Sequence, residues 1–93
     1  MNSAAKKKIA VLVRERTDEA LRMALGLTLC DDALDVYLTG AAPAGSEQNR
    51  MSIDMLRTMG AGLYSLFETG DFTLVSERDM PRALLDYDIV IAY

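Results

Sequence analysis

Lys8-Ile9-Ala10-Val11-Leu12-Val13 is an apolar run, an apolar helical stretch follows from Asp18 to Cys30, and a second run, Leu34-Asp35-Val36-Tyr37-Leu38, ends at Gly40. Two strands of the buried type with a helix between them read as a βαβ crossover, and so as a parallel sheet. That topology places any ligand site at the C-terminal ends of the strands. The rest of the chain continues the alternation of strand and helix without repeating the sequence.

Working outward, the first strand is expected over 7–14 and the first helix over 18–31. Thr17 is the expected N-cap, and Asp18 and Glu19 suit the positive end of the helix dipole. Ala20, Met23, Ala24, Leu27 and Cys30 form one apolar stripe, and Leu21, Leu25 and Leu29 a second. The two stripes together exceed what one sheet face covers, so the helix is either deeply buried or faces another subunit. The second strand is expected over 34–39. Gly40-Ala41-Ala42-Pro43-Ala44-Gly45-Ser46 reads as a flexible loop at a strand end, where function concentrates. A second helix over 46–59 carries Met51, Met55 and Met59 at i, i+4 and i+8, with Ile53, Leu56 and Gly60 on a neighbouring face. The methionines read as adaptable core or interface packing rather than copper ligands. Strands at 62–67 and 72–75 follow, then a helix started by Ser76 and Asp79 in capping-box spacing with Pro81 in its first turn. It ends near Asp86-Tyr87, and the last strand occupies 88–93.

Length and composition bound the function. The 93 residues read as one domain, with residues 1–6 as a flexible polar tail. A chain this short buries only about 60–65% of its unfolded surface. Its apolar fraction of 51% is high for that size, so some apolar surface is expected to meet a partner, most simply another copy. The net charge of −4, with Lys6-Lys7-Lys8 the one basic run, argues against nucleic acid. No apolar stretch approaches the ~20 residues of a membrane span, and the basic segment before the first strand lacks the apolar length of a signal peptide. A single cysteine leaves no intrachain disulfide and points to the cytoplasm. With no histidine, a transition-metal site is not expected, nor is a cofactor or a Ser-His arrangement.

Few residues combine into a recognised chemistry. Cys30 sits in the predicted last turn of a helix and is followed by Asp31 and Asp32, all of which oppose a thiolate. It reads as a buried structural thiol. The first turn, Arg14-Glu15-Arg16-Thr17-Asp18, has no glycine and fits neither a dinucleotide fingerprint nor a P-loop. Glu15, Glu68 and Asp71 share one edge of the expected sheet but make no evident acid–base pair. The candidate ligand cleft at the strand ends comprises Arg14, Arg16, Thr17, Gly40 and Ser65. No residue is assigned a catalytic role.

Three segments resemble the DsrE/DsrF/DsrH-like family, which includes the TusBCD-type sulfur-relay proteins: Lys7 to Arg14 (KKIAVLVR), Glu19 to Leu27 (EALRMALGL), and Val36 to Gly40 (VYLTG). Phe72 to Ser76 (FTLVS) and Tyr87 to Tyr93 (YDIVIAY) extend the resemblance over nearly the whole chain. It implies a three-layer α/β/α sandwich with a parallel five-stranded sheet, flavodoxin-like in general architecture, assembled into trimers or hexamers or with related subunits. Active members carry a persulfide-accepting cysteine at or just after strand three. The corresponding stretch here, Leu63-Tyr64-Ser65-Leu66-Phe67-Glu68, has none, and a serine such as Ser65 cannot hold a persulfide. The expected function is therefore a catalytically silent subunit or binding module in sulfur trafficking. The alternatives are an active persulfide sulfurtransferase using Cys30 and a small-ligand-binding α/β domain.

Overall fold

The computed structural model describes residues 7–28, 33–40, 45–70 and 72–92. In chain order these form β1 (Lys8–Val13), α1 (Thr17–Leu27), β2 (Ala33–Leu38), α2 (Glu47–Thr58), β3 (Gly62–Ser65), β4 (Thr73–Leu74), α3 (Met80–Leu84) and β5 (Ile89–Ala92). The five strands make one sheet in the order β4-β3-β2-β1-β5, and every pairing is parallel. The α/β class, the parallel sheet and its five strands are those expected from the sequence.

Strand alternation sorts the side chains between the two faces of the sheet. Ile9, Val11 and Val13 of β1, Leu34, Val36 and Leu38 of β2, and Leu63 of β3 join one core with Ala20, Leu21 and Ala24 of α1 and Ile53 and Leu56 of α2. Helices α1 and α2 therefore lie on the same face. The opposite face carries Ala10, Asp35, Tyr37 and Tyr64. Tyr87, just beyond α3, packs edge-on against Tyr37, with ring centroids 6.0 Å apart. The β4-to-β5 crossover runs from one edge of the sheet to the other. A right-handed connection of that direction passes over the face opposite α1 and α2, which supplies the third layer. That layer is thin, since no residue of α3 is buried.

The helix ends follow from local chemistry. Ser46 Oγ accepts the Asn49 N–H at 3.1 Å and caps α2. At the other end, the Ala61 N–H donates to the Leu56 carbonyl and the Gly60 N–H to the Arg57 carbonyl, each at 3.0 Å. This is a Schellman closure, and Gly60 takes the left-handed φ of 90° that it requires. Thr17 is not the N-cap of α1. Arg16, at φ −92° and ψ 64°, holds the non-helical position, its carbonyl accepts the Ala20 N–H at 2.8 Å, and Thr17 becomes the buried first residue of the helix. The Ser76–Asp79 spacing also resolves differently from expectation. Ser76 Oγ accepts the Asp79 N–H at 3.0 Å, but it closes a turn, and the helix starts later and is only five residues long. Of the expected second stripe of α1, Leu21 lies fully inside the core and Leu25 is half-buried at its margin, while Leu29 lies outside the described residues.

Candidate functional site

The sheet order fixes where a ligand site belongs. From β1 the chain steps one way through β2, β3 and β4, then returns to place β5 on the other side of β1. A parallel sheet opens a crevice at such a reversal, outside the carboxyl ends of the two strands. A cleft of about 260 Å³ lies there, lined by Arg14, Glu15, Arg16 and Ala92. Gly40 abuts it from the end of β2. A Cβ on Gly40 would lie 1.9 Å from the Arg14 carbonyl oxygen, so only glycine lets the two strand ends approach this closely. Thr39 holds the same junction, its N–H and its hydroxyl both donating to the Val13 carbonyl at 2.9 and 3.2 Å.

The electrostatics of the cleft are mixed. Arg14 and Arg16 bring positive charge, but Glu15 is also on the wall, and Asp18 and Glu19 occupy the first turn of α1. Arg16 lies 3.9 Å from Glu19 in an exposed i,i+3 pair, an arrangement that contributes little on its own. Two guanidinium groups therefore stand among three carboxylates at a solvated rim.

Of the expected cleft residues, Arg14, Arg16 and Gly40 meet at the β1 end. Thr17 is buried beside them as part of the helix start. Ser65 stands apart at the end of β3, almost wholly buried, its hydroxyl donating to the Phe67 carbonyl and its own carbonyl accepting the Val75 N–H at 2.8 Å. Those bonds shape the β3–β4 connection. Glu15 and Glu68 do not share a cleft: Glu68 lines a separate one of about 420 Å³ with Thr69, Gly70, Phe72 and Leu74. Cys30, Asp31, Asp32, Asp71 and the tail 1–6 lie outside the described residues. Among the described residues no group of three or more His, Cys, Asp or Glu is placed to hold a metal ion.

A polar cluster absent from the sequence expectations occupies the opposite face of the sheet. Asp35 accepts the Gly62 N–H at 2.8 Å through one carboxylate oxygen and the Tyr87 hydroxyl through the other. With its proton committed to Asp35, Tyr87 accepts from the Tyr37 hydroxyl, 3.0 Å away. Tyr64 stacks on Tyr37 with centroids 4.9 Å apart, and Lys8 Nζ lies 4.9 Å from the centre of the Tyr87 ring. Burial, then the hydrogen bonds to Asp35 and Tyr37, push the Tyr87 hydroxyl far above the usual phenol range. Tyr64 is raised too, by burial first and the Asp35 charge second. The signal for this cluster was the alternation within β2, which sends Asp35 and Tyr37 to the face opposite Val36. The partner, Tyr87, is separated by half the chain and leaves no local trace.

The third feature is a groove of about 420 Å³ between α1 and α2, walled by Arg22, Leu25, Gly26, Thr28, Met55 and Met59. Met51, Met55 and Met59 stand 68%, 50% and 49% exposed along α2. Asn49, Ser52, Ile53 and Leu56 of the same helix are buried on its other side.

No family model matches the chain, and comparisons with curated proteins and with solved structures find no match either.

Proposed function

We propose that this chain is a non-catalytic α/β subunit that assembles with a second copy of itself through the outer face of α1 and α2. The carrying observation is the exposed methionine stripe beside the groove. Three unbranched, polarisable side chains in a row on a small domain are the chemistry of an adaptable protein contact. Arg22 lines the groove, and Glu47, Arg50 and Asp54 are exposed on α2, so both signs of charge are available for self-complementary contact. The resemblance to DsrE-like proteins supports a role in sulfur relay within homo- or hetero-oligomers, and the single cysteine supports a cytoplasmic setting.

Two measurements test this reading. Light scattering on the wild-type chain should give an oligomer, and Met55→Glu should reduce its mass without changing its circular dichroism. An unchanged mass rules out the helical face as the contact. Incubation with a persulfide donor should leave the intact mass unaltered. Addition of one sulfur atom at Cys30 would make the chain a carrier instead.

A second reading, a small-ligand domain, is favoured by Arg14 and Arg16 flanking the cleft at the β1–β5 reversal. Binding of inorganic phosphate that is lost in the Arg14→Ala/Arg16→Ala double variant would support it.

A further inference from the structure

The two edges of the sheet are unlike. At one edge β4 is only two residues long, and shortness itself protects an edge from pairing with another chain. At the other edge β5 runs Ile89-Val90-Ile91-Ala92 in unbroken register with β1. It contains no charge, proline or bulge, the usual devices that blunt an edge. Ile89 and Val90 are 37% and 44% exposed, although β-branched residues suit a covered strand. The nearest charge, Asp88, is turned away from the free side: its carboxylate accepts the Lys8 N–H at 2.8 Å, and its own N–H donates to the Lys8 carbonyl at 2.8 Å.

Among the described residues nothing pairs with the free side of β5, and a ladder of this kind is completed by another strand, because only extended backbone matches its spacing of donors and acceptors. We infer that the occupant is β5 of a second copy, paired antiparallel about a twofold axis through Val90. Side chains directly opposite in an antiparallel pair point to the same face, so this register sets Val90 against Val90, Ile89 against Ile91 and Asp88 against Ala92. β-Branched side chains meet one another on both faces, and no like charges oppose. The two sheets become one, with both sets of α1 and α2 helices on the same side. This contact is separate from the helical groove and does not depend on it.

The test is sedimentation velocity on the full chain from micromolar to submillimolar concentration. Val90→Glu puts two carboxylates face to face at the axis, and the assembly mass should fall twofold relative to wild type. Val90→Thr, which keeps the branched shape, should leave it unchanged. Met55→Glu reports on the helical face alone, so a mass that responds to Met55→Glu but not to Val90→Glu overturns this inference and leaves the groove reading intact. In a Cys30→Ser background, Val90→Cys should give a disulfide-linked dimer under mild oxidation while Leu85→Cys should not, a readout that survives if Val90→Glu fails to fold. A wild-type chain that is monomeric throughout, open-ended fibres, or no Val90→Cys cross-link would each overturn the pairing.

Discussion

Gly26 and Gly40 have the same side chain and opposite roles. Gly26 sits within α1 with nothing inside 4 Å of where a Cβ would be, so it contributes only backbone freedom to the unfolded chain. Gly26→Ala should raise stability by about 0.5–1 kcal/mol. Gly40 faces the Arg14 carbonyl, and a backbone oxygen cannot swing aside as a side chain can. Gly40→Ala should lower stability by about 1–3 kcal/mol, the cost of overpacking. Paired thermal melts of the two variants, moving in opposite directions, check both. The sequence shows Gly40 as a loop glycine and no more. Its true constraint comes from β1, a strand that lies 26 residues earlier and reaches it only through the sheet. The same holds for Ser65, a cleft candidate in the sequence whose hydroxyl is committed to the Phe67 carbonyl in the fold.

At the scale of elements, the legible parts are those decided locally. The strands fall within a residue or two of where apolar runs placed them. Gly60, which the spacing set on a helix face with Ile53 and Leu56, lies instead just past α2 as the left-handed residue that closes it. What was not legible is how the last crossover is fastened. Tyr87 clasps it to the sheet through Asp35 and Tyr37, and Asp88 adds two bonds to Lys8, its carboxylate accepting the Lys8 N–H and its own N–H donating to the Lys8 carbonyl. Removing the hydroxyl in Tyr87→Phe should destabilise the fold by about 1–3 kcal/mol, because Asp35 and Tyr37 each lose a partner. The clasp also sets a pH dependence. The unfolded phenol ionises near its usual value of 10.0, whereas the folded one holds its proton to higher pH. The unfolded state therefore releases a proton first as pH rises, so this contribution is complete below pH 10 and is lost above it. Chemical denaturation between pH 8 and 11.5 should show stability falling at the alkaline end, with a shallower fall in Tyr87→Phe. An equal fall in both proteins would mean that the clasp does not set the profile.

Across the whole molecule, burial is uneven. The face under α1 and α2 holds Leu21, Leu38 and Leu56, all fully enclosed, whereas the opposite face relies on tyrosines and a short helix with nothing buried. A domain of this size has total stability of about 5–15 kcal/mol. Leu21→Ala removes a central side chain at a cost of about 2–5 kcal/mol, so it should take much of that margin and lower the melting temperature by well over ten degrees on the usual scaling. A shift of only a few degrees would show that α1 settles into the space. The high apolar content was read as surplus surface meant for a partner. Among the described residues the exposed large apolar side chains lie along α2, at Leu74 and Leu85, and on β5.

The place of β5 beside β1 has a consequence for the order of assembly. β1 can pair with β2 after a local crossover, but its other neighbour lies about eighty residues away along the chain. Closing so wide a loop is entropically costly, and contacts between distant segments form slowly. On that ground β1 to β4 with α1 and α2 should form first, and β5 should dock onto them afterwards. In the native protein the sequence reverses. In the single chain β5, held by one ladder and the Tyr87 clasp, should open before β2, its amides exchanging with solvent ahead of those of β2, which is paired on both sides.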